Sequence, residues 1–85
     1  MIYFTNRNNI RILCGHVFDY RGNPVPNSTV LLYIKYNSKY HGKVTKKLAY
    51  TSTNEQGKFA FPIDIYRFMF CNFIVEGYNP LHKIS

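Results

Sequence analysis

One nine-residue segment constrains this chain more than any other: Asp19-Tyr20-Arg21-Gly22-Asn23-Pro24-Val25-Pro26-Asn27. Gly22 tolerates positive φ, the Asp19 and Asn23 side chains can bond their own backbone, and the two prolines withhold N–H groups from any ladder. Neither a helix nor a strand can pass through such a segment. On either side of it, small or apolar residues recur at every second position: Leu13, Gly15 and Val17 before, Val30, Leu32 and Ile34 after. A period of two is the mark of a strand with one buried face.

Composition extends that reading to the whole chain. Val, Ile, Thr, Tyr and Phe supply 33 of the 85 residues, against 12 for Ala, Leu, Glu, Gln and Met. With two alanines and two glutamates, little would offset the cost of fixing χ1 in β-branched side chains on a helix. A hydrophobic fraction of 46% is too high for general disorder. The length allows one domain. The expected class is all-β, a single domain over 10–85 preceded by a polar, Asn-rich tail or edge strand over 1–9.

Strands are expected at 10–19, 28–36, 48–53, 58–63 and 70–76, with a stub over 81–85. Residues 37–47 read as a polar, basic connection carrying Gly42. Asn54-Glu55-Gln56-Gly57 reads as the turn of a hairpin, with Gly57 left-handed. Pro62 restricts its strand to an edge or a bulge. Residues 64–69 fit either a helical turn or an extended crossing, and Gly77-Tyr78-Asn79-Pro80 is a turn. About six or seven short strands at this spacing make an antiparallel β-sandwich or a small barrel.

Three blocks then carry a resemblance. They are Leu13-Cys14-Gly15-His16-Val17-Phe18-Asp19 with Gly22-Asn23-Pro24-Val25-Pro26, Thr51-Ser52-Thr53-Asn54-Glu55-Gln56-Gly57-Lys58-Phe59, and Phe73-Ile74-Val75-Glu76-Gly77-Tyr78-Asn79-Pro80. Over residues 10–80 the chain resembles the carboxypeptidase regulatory-like family. That resemblance implies a transthyretin-like (prealbumin-like) Greek-key sandwich of two sheets and a non-catalytic role as a structural or protein-interaction module. Within that frame Gly15 admits a neighbouring backbone, Gly22, Pro24, Gly57 and Gly77 shape turns, and Tyr78 pins the corner after its strand. Ser28 stands where the family has a small apolar residue and puts a hydroxyl near the core, where it needs a partner.

The titratable inventory points away from catalysis. Asp19, Glu55, Asp64 and Glu76 form no close pair, and no nucleophile elbow, phosphate loop or zinc-protease motif is present. The chain ends Leu81-His82-Lys83-Ile84-Ser85, without the Tyr-Arg-Gly-Ser ending of the transthyretin-like hydrolases of purine breakdown. Cys14 and His16 share a strand face about 6–7 Å apart, yet neither they nor His41, Cys71 and His82 show metal-ligand spacing. No metal or cofactor is expected, and Cys14 and Cys71 read as buried free thiols.

Charge is the most informative surface feature. Between Asp19 and Glu55 there is no acid, while Arg21, Lys35, Lys39, Lys43, Lys46 and Lys47 supply six positive charges in a chain of net charge +7. Tyr33, Tyr36, Tyr40, His41 and Tyr50 are interleaved with them. Lysines beside stacking aromatics suit single-stranded nucleic acid or an acidic polymer. This is the alternative to the interaction-module reading, carried by Lys35, Lys39, Lys43, Lys46, Lys47, Tyr36 and Tyr40. A plain source exists too, since Lys, Asn, Tyr and Ile make up 32 residues, as the codons of an AT-rich genome favour.

The stub after Pro80 leaves a sheet edge exposed, so pairing with a protein partner or a second copy as a homodimer is expected. No apolar run approaches the roughly 20 residues that span a bilayer. The start shows no signal-peptide pattern. The expectation is a cytoplasmic protein without a membrane span, with a surface or spore-type assembly as the alternative.

Overall fold

The computed structural model describes residues 3–7, 9–79 and 82–85. They form seven strands: β1 (Tyr3–Arg7), β2 (Ile10–Phe18), β3 (Thr29–Ser38), β4 (Gly42–Ser52), β5 (Lys58–Asp64), β6 (Asn72–Gly77) and β7 (Lys83–Ile84). No helix occurs among the described residues. All pairings are antiparallel and fall into two sheets. One has the order β1-β2-β5 with β7 also against β2, and the other the order β4-β3-β6.

One core joins them. Leu13 and Val17 of β2, Val30 and Leu32 of β3, and Phe59, Phe61 and Ile63 of β5 form a single buried cluster. These are the alternate positions that the period of two marked on both sides of the turn segment. Phe73 and Val75 of β6 and Ile84 of β7 pack against the same cluster. Each fully buried side chain of this size contributes about 1.5–3 kcal/mol. Phe59 and Phe61 meet edge to face, with ring centroids 5.9 Å apart.

Gly15 is where β2, β5 and β7 come closest. A Cβ there would lie 2.5 Å from Phe59 Cζ and 2.9 Å from the Ser85 carbonyl oxygen. Only a hydrogen leaves room for both. Gly57 sits at φ 75°, as the turn reading requires, and a Cβ on it would meet the Val17 carbonyl oxygen at 2.7 Å. Gly22 is left-handed as well.

The segment between β2 and β3 is held at both ends. Asp19 Oδ1 accepts the amides of Arg21 and Asn23, each at 2.9 Å. Phe18 makes an isolated bridge with Pro24. At the far end Thr53 is the clamp. Its buried hydroxyl donates to the Val25 carbonyl at 2.6 Å and accepts the Ser28 amide at 2.8 Å. Its own backbone exchanges bonds with Asn27 and Ser28. Ser28 is buried, but the group it gives to Thr53 is its backbone amide and not the hydroxyl that was expected to need a partner.

The structure corrects several expectations. Residues 37–47 are not a connection. They complete a long hairpin in which Ser38 pairs with Gly42 across a three-residue loop, and Ser38 Oγ accepts the Tyr40 and His41 amides. The alternation that would have revealed β4 is broken by a bulge. Leu32 faces Ala49 but Tyr33 faces Lys47, so Leu48 is the extra residue. The Asn54–Gly57 turn exists, with Asn54 Oδ1 accepting the Gln56 and Lys58 amides. It joins no hairpin, because β4 pairs with β3 and β5 with β2; the turn carries the chain from one sheet to the other.

Tyr78 does not pin a corner. Its ring is 74% exposed, and only its amide is engaged, on the Thr29 carbonyl. Gly77 is the last residue of β6 rather than a turn residue. Cys14 and Cys71 are free but half-buried. The sheet edge at the short β7 is shared with β1. β7 pairs with Val17 and Phe18, and β1 pairs with β2 from Ile10 to Cys14, so the two strands line one side of β2 in turn. Residues 3–7 are thus a paired strand of the domain.

Candidate functional site

The basic stretch is spread over one long hairpin. Buried residues end at Ile34 on β3, whereas the strands run on to Ser38 and back from Gly42. The outer part of the hairpin therefore projects past the core. Lys35, Lys39, Lys43, Lys46 and Lys47 are all exposed on it.

Register decides which of them act together. In an antiparallel pair, partners opposite each other share a face. Tyr33 faces Lys47, Lys35 faces Thr45 and Asn37 faces Lys43 on β4; on the other side Tyr33 faces Ile74 and Lys35 faces Asn72. Lys35, Lys43 and Lys47 thus share the outer face of the second sheet with Tyr33, Leu31 and Ile74. Lys46 lies opposite Ile34, and Tyr36 opposite Val44, on the other face. Lys39 and Tyr40 occupy the tip, with the ammonium 5.7 Å from the Tyr40 ring centre. Arg21 stands apart in the β2–β3 segment, over Tyr20. Lys46 and Lys47, being adjacent in a strand, point to opposite faces.

Beyond Lys35, β3 outruns β6, whose pairing stops at Asn72. A groove of about 220 Å³ opens there, lined by Lys35, Tyr36, Asn37, Lys43, Phe70 and Asn72. The sequence places Phe70 and Asn72 at the start of a strand rather than in a site; the strand begins only at Asn72, and Phe70 lies in the turn before it. The turn that carries Phe70 is built on Asp64, whose Oδ1 accepts the Tyr66 and Arg67 amides, and on Phe68, which packs on the core beside Phe73. To return from Phe68 into β6 the chain bends at Phe70, at φ 66°. For a bulky residue that conformation is a genuine outlier. The ring it carries is 93% exposed. Only the φ value could have revealed this residue, and no sequence signal marks it.

A second hollow, of about 420 Å³, lies at the other end of the molecule. Cys14, His16, Thr53, Lys58 and Phe59 are among its lining residues. Cys14 and His16 do share a face, as their spacing predicts, and the His16 ring stacks on Phe18 at 5.8 Å. Among the described residues no three His, Cys, Asp or Glu side chains gather closely enough to hold a metal ion. His82 Nδ1 is buried without a hydrogen-bond partner, in the loop before β7. The four acids lie on four separate segments. The backbone N–H of Asn23 first, and that of Arg21, hold the Asp19 carboxyl below the ordinary 3.8.

Compared with known protein families, with curated proteins and with solved structures, the chain matches none. No helix among the described residues is long and apolar enough to cross a membrane.

Proposed function

We propose that this chain is a non-catalytic, transthyretin-like β-sandwich that serves as a protein-interaction module, pairing with a second copy along the free edge of β6. The sheet orders support the Greek-key reading. A Greek key returns a later strand by a long connection to lie beside an earlier one. Here β2 lies between β5 and β7, and β3 between β4 and β6.

The observation that carries the interaction is the contrast between edges. β5 ends its sheet with Pro62 and Lys58, and β4 ends the other with three lysines and a bulge. Proline, lysine and bulges are the usual protections against edge-to-edge pairing. β6, at the opposite edge, has none of them. It presents Phe73-Ile74-Val75 in succession, with Glu76 its one charge. A strand so composed accepts an antiparallel partner through backbone bonds.

Solution mass measured across protein concentration, at low and high salt, tests this. A dimer that ignores salt is expected, because backbone pairing is not screened as surface charge is. Ile74→Lys should make it monomeric by setting like charges across the new strand pair. A wild-type chain that stays monomeric at high micromolar concentration overturns the reading.

A further inference from the structure

The groove at the end of β6 has a chemistry that edge pairing does not use. Lys35 and Lys43 bring two ammonium groups to one side of it, and Phe70 offers a bare aromatic face on another. Asn37 and Asn72 stand between them as donors and acceptors. Lys39 at the tip and Lys47 on the same face extend the positive field along the hairpin, whose own sequence contains no acid to neutralise it. Tyr40 at the tip is 83% exposed.

We propose that the β3–β4 hairpin and the β5–β6 turn together bind single-stranded nucleic acid, with Lys35 and Lys43 on phosphates and the Phe70 ring stacked on a base. Phosphate needs cations along a track, and an unpaired base needs an aromatic platform. Phe70 selects the single strand. In a duplex the bases are already stacked on one another, and an exposed ring at the foot of a hairpin has no free π-face to meet. An acidic polysaccharide would satisfy the lysines but has no planar ring for Phe70. The groove is also too small for a folded element of another protein.

Fluorescence anisotropy with a labelled oligothymidylate of about ten nucleotides, within the usual range for one small domain, reads the affinity. If Lys35, Lys43 and Lys47 on the groove face and Lys39 at the tip contact phosphate, the log affinity should fall with log salt at a slope of about −2.8, at about 0.7 per phosphate on a single strand. The double variant Lys35→Ala, Lys43→Ala should reduce that slope to about −1.4. Phe70→Ala should weaken binding about 5- to 150-fold, the usual range for one stacked base, without changing the slope. All three positions are exposed, so far-ultraviolet circular dichroism should remain that of the wild type. Equal affinity for a duplex of the same sequence, or for a heparin oligosaccharide, overturns the proposal. So does a Phe70→Ala affinity within twofold of wild type, or a salt slope that the double variant leaves unchanged. The salt-insensitive dimer of β6 is read by mass rather than by anisotropy, so either result can fail alone.

Discussion

Thr53→Val removes one oxygen atom and keeps the shape of the side chain. Thr53 is 3% exposed, and its hydroxyl joins two parts of the chain that are far apart in sequence. Valine would leave the Ser28 amide, which is buried, and the Val25 carbonyl, which is partly buried, without that partner. A buried polar group stripped of its partner costs about 1–3 kcal/mol. The carbonyl can turn toward water and falls at the low end. The sum is about 2–4 kcal/mol, a large share of the roughly 4–13 kcal/mol expected for 85 residues. For a domain of this size 1 kcal/mol corresponds to about 4–8 °C in Tm, so the variant should melt at least about 8 °C lower. Thr53→Ser supplies the control. It keeps the hydroxyl and loses a methyl group, at about 1 kcal/mol. Urea titrations of the three proteins, followed by circular dichroism at constant m-value, give the comparison. If Thr53→Val is as stable as Thr53→Ser, the hydroxyl is not the clamp and the reasoning fails.

Gly15→Ala should destabilise by about 1–3 kcal/mol through overpacking, since the new Cβ meets Phe59 and the Ser85 carbonyl oxygen at once; thermal melting would show it. Asp19 should contribute to acid sensitivity. Its folded pKa is depressed, so its stabilising contribution is complete above the ordinary value and is lost as pH falls below about 3.8. Asp19→Asn, which keeps an acceptor oxygen but cannot titrate, should flatten the stability curve over that acid range, as read by urea midpoints from pH 5 downward.

Much of the fold was legible because its core strands follow a simple rule. Leu13 and Val17, Val30 and Leu32, Phe59 and Phe61 all keep a period of two, and each segment is bounded by turn residues that break it. β4 failed that test because the bulge at Leu48 shifts the face and because Lys46 and Lys47 put lysines on both sides. Periodicity cannot reveal a strand whose two faces are alike. The Asn54–Gly57 turn was readable as a turn but not as a crossing between sheets, because an Asx turn looks the same whichever strand follows it. Partner choice is set by the shared core, not by the turn. The candidate groove was half legible: Lys35 and Lys43 stand out as charges, whereas Phe70 looks like one more aromatic in a chain that has fifteen Phe and Tyr residues.

Two explanations compete for the lysines, and Phe70 separates them. Lys43, Lys46 and Lys47 lie on an edge strand, where positive charge alone deters unwanted pairing. That role accounts for them without any ligand. It does not account for an aromatic ring held 93% exposed at φ 66°. The left-handed conformation costs roughly 1–2 kcal/mol for a residue with a Cβ, and an exposed ring recovers little of that through packing. If folding alone had shaped this turn, glycine would serve better there. Phe70→Gly should therefore stabilise the chain, by relief of that strain less about 0.5–1 kcal/mol for the added freedom of the unfolded backbone. Phe70→Ala keeps its Cβ and the strain, and should match the wild type. Urea midpoints ordered Gly above Ala and wild type would mark Phe70 as a residue kept at the expense of stability, as binding residues often are. A Gly variant less stable than wild type would mean that the ring supports the turn, and the groove would lose the observation that sets it apart from ordinary edge protection.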